Sequence, residues 1–269
     1  MEEKEYLFGT NEAELARLQF QHEVWRPMTD SFLERLTIQN GWKCLDAGAG
    51  PGFVSMDLRH LVGDTGEITL LEPSTFYINS FQSAAELNGW TNLKYIQGTV
   101  EESELPENYY DLVYSRWVIS FVPDPEKFVA ALTKALKPGG ILAIEDYNYE
   151  GLSLFPKGGA WDKMPEIMKS YYKYGGGDPY VASKLPGIYN KYGLELTDYK
   201  PFSMAGGPDS GVMEWAHRFF TIHIPIMMER GIITPEEGTA FQDDWQAHRE
   251  NLNAVFFSPI VVDAAGRKK

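Results

Sequence analysis

The sequence holds a single cysteine, Cys44, so no internal disulfide can form and a reducing compartment is the expected setting. Cys44 lies inside an apolar run and reads as a buried structural thiol. Long apolar stretches are lacking too: the longest, Phe219 to Met228, is interrupted by His223 and reaches about half a membrane span. The opening Met-Glu-Glu-Lys-Glu has neither the basic start nor the apolar core of a secretion signal, so a soluble cytoplasmic protein is expected.

Positive charge is scarce. Lys and Arg number 24 against 38 Asp and Glu, a formal charge of −14, which argues against a nucleic-acid partner because none of the basic face it needs is present. The one basic cluster, Arg267-Lys268-Lys269, reads as a solvated chain end. The five histidines, the cysteine and the carboxylates show no metal-ligand spacing, so no metal is expected. What is plentiful is apolar and aromatic surface, 43% and 14% of 269 residues, ample for the core of one large α/β domain with an insertion, or of two small domains.

Residues 11–38 read as two helices broken at Pro27, the first capped by Asn11 or Thr10. From Trp42 strands and helices alternate. Strands are predicted at Lys43–Ala47, Gly66–Glu72, Leu93–Gln97, Tyr109–Ser115 and Ile141–Tyr147. Helices are predicted at Phe53–Val62, at Ser74–Asn88, and from the Asp124-Pro125 cap to about Leu136, where Lys137-Pro138-Gly139-Gly140 stops the last one. Such alternation means a parallel sheet covered on both faces, with ligands beyond the carboxyl ends of its strands. After Gly151 helices are expected over 161–173, 179–191, 209–230 and 234–250, the last opened by the capping box Thr234 to Glu237. Leu194–Phe202 and Val255–Ala264 read as a sixth and a seventh strand.

The most informative stretch is Leu45-Asp46-Ala47-Gly48-Ala49-Gly50-Pro51-Gly52, a strand end running into a tight turn. Glycine lets a ligand lie against the backbone and take up its N–H groups. A dinucleotide fingerprint would place its third glycine at position 53, which is Phe53; here Gly52 comes one residue early. The pattern D-x-G-x-G-x-G resembles the first motif of the class I S-adenosylmethionine-dependent methyltransferases. The segment Asp111-Leu112-Val113-Tyr114-Ser115-Arg116-Trp117 is similar to that family's fourth motif, and Asp124 through Lys-Pro-Gly-Gly to Asp146 also resembles it.

The resemblance implies a Rossmann-like fold of class α/β: a doubly wound, mostly parallel seven-stranded sheet with an N-terminal helical lid and a helical insertion. The lid is assigned to 1–40, the cofactor core to 41–150, the insertion with the sixth strand to 151–253 and the last strand to 254–269. Phe256 to Val262 looks like the family's antiparallel last strand. The implied cofactor is S-adenosylmethionine, its methionine end wrapped by Asp46, Gly48, Ala49, Gly50 and Gly52.

A carboxylate at Glu72, followed by Pro73, can accept both ribose hydroxyls, a device that NAD-binding folds share. Thr99 stands where the family usually carries an aspartate for the adenine amino group, and the Val100 N–H would serve the ring. The Ser115 carbonyl would receive the methionine ammonium, with Arg116 near the carboxylate or paired with an acidic neighbour. Gln21 on the lid is the further candidate for the carboxylate, or else a helix-surface glutamine.

The implied reaction is methyl transfer to a small molecule. Related enzymes often carry a histidine one turn past the fourth strand; this chain has Ile119-Ser120-Phe121 there, so the catalytic base stays unassigned. Substrate candidates are Trp117, Tyr147, Trp161, His217 and His223, though His223 in its apolar stretch reads equally as a packing residue. Tyr149, Phe155, Tyr171, Tyr172 and Tyr174, with Met213, Trp215, Phe219 and Phe220, are core or the lining of an apolar, aromatic pocket. Two other enzyme readings stand beside this one: an NAD-dependent oxidoreductase, and a relative that keeps the cofactor without methylating and catalyses a rearrangement. No membrane or nucleic-acid partner is expected, and a homodimer is left open.

Overall fold

The computed structural model describes residues 11–269. Helix α1 (Glu12–Arg35) opens at Asn11, whose side chain accepts the Glu14 N–H at 2.9 Å; Thr10, the other expected cap, lies outside the described residues. α1 runs unbroken through Pro27, where two helices were expected. Its buried stripe explains why: Arg17, Gln21, Trp25, Thr29 and Phe32 follow one face across the proline. An interior proline costs about 3 kcal/mol, and burying side chains such as Trp25 and Phe32 returns roughly 1.5–3 kcal/mol each.

The alternating core follows. It comprises β1 (Lys43–Ala47), α2 (Phe53–Val62), β2 (Glu67–Glu72), α3 (Thr75–Leu87), β3 (Leu93–Gln97), β4 (Tyr110–Arg116), α4 (Pro125–Ala135) and β5 (Leu136–Asn148). Ser74 and Asp124 cap α3 and α4 through their side chains. β5 starts at Leu136, ahead of the expected Ile141. Leu136 already pairs with Tyr110, and Lys137–Gly140 is an excursion before pairing resumes at Leu112 and Ile141.

The remainder holds β6 (Ser153–Phe155), α5 (Met164–Tyr174), α6 (Val181–Lys191), β7 (Leu194–Phe202), β8 (Ala205–Gly206), α7 (Gly211–Glu229), α8 (Pro235–Arg249), β9 (Val255–Phe257) and β10 (Ile260–Lys268). The main sheet has seven strands in the order β3-β2-β1-β4-β5-β10-β7, parallel except for β10, which runs antiparallel to β5 and β7. It is the doubly wound, mostly parallel α/β sheet that the sequence predicts. The single last strand expected over Val255–Ala264 is in fact two. Ser258-Pro259 separates them, proline having no N–H for a ladder. β9 leaves the main sheet to pair with β6 and β8 in a three-stranded sheet that the sequence reading missed.

One face of the main sheet is covered by Phe32, Leu58, Val62 and Phe81 from α1, α2 and α3. The other is covered by Phe128 and Leu132 of α4 and Leu185 and Tyr189 of α6. A third apolar body, mainly aromatic, sits past the ends of β4 and β5 and includes Trp25, Tyr147, Trp161, Trp215 and Trp245. Among the described residues no helix is long and apolar enough to cross a membrane.

Candidate functional site

The loop after β1 is left-handed at each of its three glycines: φ is 77° at Gly48, 54° at Gly50 and 79° at Gly52. Two of them are glycine because the protein itself leaves no room. A Cβ on Gly48 would meet Val118 Cγ2 at 2.4 Å, and one on Gly52 would meet Phe81 Cδ2 at 2.2 Å. Gly50 differs, since a Cβ there would meet nothing within 4 Å. Its bare backbone faces open space.

The loop's N–H groups, which the sequence reading offered to a ligand, are spent inside the protein. Gly48 and Ala49 both donate to the Leu71 carbonyl, at 2.8 and 3.1 Å, and Gly50 donates to the Glu72 carboxylate at 2.9 Å. The glycines therefore offer room rather than free donors. Glu72 also accepts the Ser74 N–H at 2.9 Å, tying the loop to the start of α3. Asp46 accepts the Ser55 hydroxyl at 2.6 Å and so fixes the loop to α2.

Burial dominates the electrostatics here. It raises the Asp46 carboxyl to about 6 and the Glu72 carboxyl to about 7. Further along the sheet, Asp263 is raised to about 8 by burial and by Glu145 directly across the β5–β10 ladder. A carboxyl whose pKa is raised on folding stabilises the protein below its unfolded value, and that contribution is lost as pH climbs through the folded one. Burial lowers the His22 and His223 pKa values, so both are neutral in the folded protein above pH 6.5, and the last deprotonation of these residues in the unfolded chain opposes the fall by less than about 1 kcal/mol in all. Unfolding midpoints between pH 6.5 and 8.5 should fall by roughly 5 °C, from Asp263 and Glu72 together losing on the order of 2 kcal/mol. A midpoint that rises over that window would contradict this.

The opposite wall comes from β4 and α1. The Ser115 hydroxyl donates to the Ala47 carbonyl at 2.8 Å, locking β4 to β1 beside the loop. Arg116 donates to the Thr29 hydroxyl at 3.0 Å, meets His22 Nδ1 at 3.1 Å, and stacks on Trp117 at 4.4 Å. Its neighbours are thus α1 and an indole rather than a surface carboxylate. Trp117 holds φ at 56°, a left-handed strain of about 1–3 kcal/mol for a bulky residue. Gln21 is no helix-surface glutamine: its side-chain oxygen accepts from Arg17 at 2.8 Å and from the Trp215 indole at 2.9 Å.

These walls enclose a cleft of about 1030 Å³, open solvent included. Of the expected cofactor residues it is lined by Gln21, Asp46, Gly48, Ala49, Gly50 and Arg116. Gly52, Glu72, Pro73, Thr99, Val100 and Ser115 stand outside the lining, Glu72 and Ser115 by their bonds to backbone groups of the core. Thr99 Oγ1 is buried without a hydrogen-bond partner. The expected substrate residues Trp117 and Tyr147 line the cleft, as do Tyr149, Tyr172, Trp215, Phe219 and Phe220.

Three expected substrate residues do not line it. Trp161 stacks on Trp245 at 5.5 Å inside the aromatic core, at 1% exposure. His217 accepts the Trp245 indole N–H at 3.2 Å, on a different side of α7. His223 is fully buried, its Nδ1 3.1 Å from the Tyr171 hydroxyl, so it serves in packing. Phe155 and Tyr174 are exposed, at 43% and 60%.

The residue that sequence reasoning missed is Arg17. It lines the cleft while bonded to both Glu14 oxygens, at 2.8 and 2.7 Å. Its spacing of four from Gln21 places the two on one helix face, and that was the available signal. Leu152, Met168 and Ala216 are further lining residues that no motif marked. Among the described residues no group of three or more His, Cys, Asp or Glu is placed to hold a metal ion.

The strand order, with its antiparallel strand between β5 and β7, and the glycine loop at the carboxyl end of β1 define a class: the Rossmann-like enzymes that take a nucleotide-type cofactor at this edge. Comparison with known proteins makes it particular. A methyltransferase-domain family model matches residues 38–198, and the chain belongs to that family of class I S-adenosylmethionine-dependent methyltransferases. The oxidoreductase reading falls with that match.

Among curated proteins the chain is similar to the ubiquinone/menaquinone biosynthesis C-methyltransferase UbiE of Psychromonas ingrahamii. The two are 27% identical over 199 residues, which is 69% of this chain and 77% of the relative. The same-named protein of Shewanella sediminis matches over 50% of its length, also at 27% identity. Among solved structures, an S-adenosylmethionine-dependent methyltransferase from Aquifex aeolicus superposes with a TM-score of 0.53 at 19% identity, over 71% of this chain and 92% of that one. The [4+2]-cyclase SpnF superposes with a TM-score of 0.57 at 17% identity, over 90% and 80%. At such identities these two likenesses speak for the fold alone.

Proposed function

We propose that the protein transfers the methyl group of S-adenosylmethionine to a small apolar or aromatic molecule. The observation that carries this reading is a single cleft joining the bare glycine loop at one end to Tyr149, Tyr172 and Phe219 at the other. The residues present fit the cofactor. Gly50 leaves the space that a ligand needs, and Thr99 Oγ1 is a buried polar atom in want of a partner. We assign the amino-acid end to Asp46, the Gly48–Gly52 loop, the Ser115 carbonyl and Arg116, with Gln21 and Arg17 above. Glu72 and Pro73 would hold the ribose, and Thr99 and Val100 the adenine.

When bound, the cofactor supplies a methyl group activated by a positively charged sulfur. The chain's own part is to position and to keep water out. Arg17, Asp46 and Arg116 are the charged residues of the cleft wall, and no described histidine lines it. Tyr147, whose pKa is pushed well up by burial, keeps its proton and serves as a neutral donor rather than a base. Charge is neutralised as the methyl group leaves, so no oxyanion site is called for.

The same lack of a base favours a second reading, a cofactor-binding protein that catalyses a rearrangement. Incubation with methyl-labelled S-adenosylmethionine and a metabolite extract separates the two. Label in an extractable acceptor is expected. Tight cofactor binding with no labelled acceptor would overturn methyl transfer in favour of the rearrangement.

A further inference from the structure

Seven tryptophans occur in the chain, and the hydrogen bonding of their indoles is uneven. Trp215 donates to Gln21 and Trp245 to His217, at 2.9 and 3.2 Å. The indole nitrogens of Trp25, Trp117 and Trp161 are buried without a partner. Trp25 and Trp161 lie in the aromatic core at 0% and 1% exposure, while Trp117 alone of the three lines the cleft.

We propose that Trp117 reads the acceptor: its indole N–H donates to an oxygen on a flat, conjugated molecule held in the part of the cleft that Trp117 and Tyr147 line. This rests on the cleft being the acceptor site of the methyl transfer proposed above. Several features support it. The Trp117 and Tyr147 rings stack, 9° from parallel with centroids 6.0 Å apart, and Arg116 lies over the indole at 4.4 Å, so the orientation of the indole is fixed. Val118, the next residue, packs against Gly48 so closely that a Cβ there would strike it, which puts Trp117 beside the cofactor loop.

Several nearby polar groups are already engaged. Arg116 is taken up by Thr29 and His22, Gln21 by Arg17 and Trp215, and Tyr172 by Tyr149 at 3.2 Å. Among the fully buried side-chain donors of the described cleft lining, the Trp117 N–H is the one left without a partner. A bulky residue held left-handed at a cleft wall, with its one polar atom unpaired, is a side chain fixed for a ligand rather than for packing. A hydrogen-bond donor of this kind selects for a substrate that carries the matching acceptor and against one that lacks it.

The test compares 2-naphthol with naphthalene, two flat molecules of nearly one shape, only one of which bears oxygen. Proton–nitrogen correlation spectra of the indole groups report both, with and without S-adenosylhomocysteine. The Trp117 resonance should move downfield with 2-naphthol and stay in place with naphthalene. In W117F, 2-naphthol should bind about tenfold more weakly and naphthalene with unchanged affinity.

Equal shifts from both compounds, no binding of either, or equal weakening of both in W117F would overturn the proposal. The comparison on the native protein decides even if W117F fails to fold. Failure of the methyltransferase reading shows separately, as the absence of a labelled acceptor after incubation with methyl-labelled S-adenosylmethionine.

Discussion

Replacing Gly50 with leucine is expected to leave the protein folded and to weaken S-adenosylhomocysteine binding by at least about a hundredfold, some 2.7 kcal/mol. The side chain has room, since no protein atom stands within 4 Å of the added Cβ. Its cost to stability is therefore the left-handed backbone at φ 54°, about 1–2 kcal/mol, or several degrees in the unfolding midpoint. The cost to binding is larger, because leucine fills the space that the loop keeps clear beside the cleft. Gly48→Leu is the useful contrast, as its Cβ would strike Val118 and should damage the loop itself. Calorimetric titration beside thermal unfolding checks both. Unchanged affinity in a folded Gly50→Leu protein would contradict the placement of the cofactor.

Trp25→Ala should be the most damaging single change to stability, at about 3–5 kcal/mol in denaturant unfolding. Trp25 is fully buried and meets Trp215 at 5.3 Å, and Trp117 and Phe202 at 6.1 Å each. One ring thus joins α1 to the ends of β4 and β7 and to α7. Removing it leaves a void that three aromatic neighbours cannot close together, and it frees the helix that carries Arg17 and Gln21. Cofactor affinity should fall along with stability. A loss under 1 kcal/mol would show that α1 is held mainly by its polar contacts to Glu145, Asp198 and Asp263.

Periodicity made much of the fold legible. Lys43–Ala47, Phe53–Val62, Leu93–Gln97 and Leu194–Phe202 are elements with the bounds their patterns predict. Capping chemistry was as informative, at Asn11, Ser74, Asp124 and Thr234. Pro27 misled, because a local rule about a helix breaker says nothing of the tertiary burial of Trp25 and Phe32 on either side of it. The strands Ser153–Phe155, Ala205–Gly206 and Val255–Phe257 are too short to show an alternation, and they exist only by pairing with one another.

At the site, the glycine loop was legible as a motif because backbone sterics write it into the sequence. The aromatic wall was not. Trp161, His217 and His223 share the composition of the lining residues, and only packing decides which ring of an aromatic cluster faces the cleft. Arg17 escaped notice because a charged residue on a helix ordinarily points to water, and here Glu14 and Gln21 hold it inside.

The most direct test of the account is a crystal structure with S-adenosylhomocysteine bound. The ligand's amino-acid end is expected against Gly48–Gly50 and Ser115 under Arg17 and Gln21, its ribose at Glu72, its adenine at Thr99 and Val100, and its sulfur turned toward Trp117. A ligand seated elsewhere, or turned with its sulfur away from the aromatic wall, would contradict it.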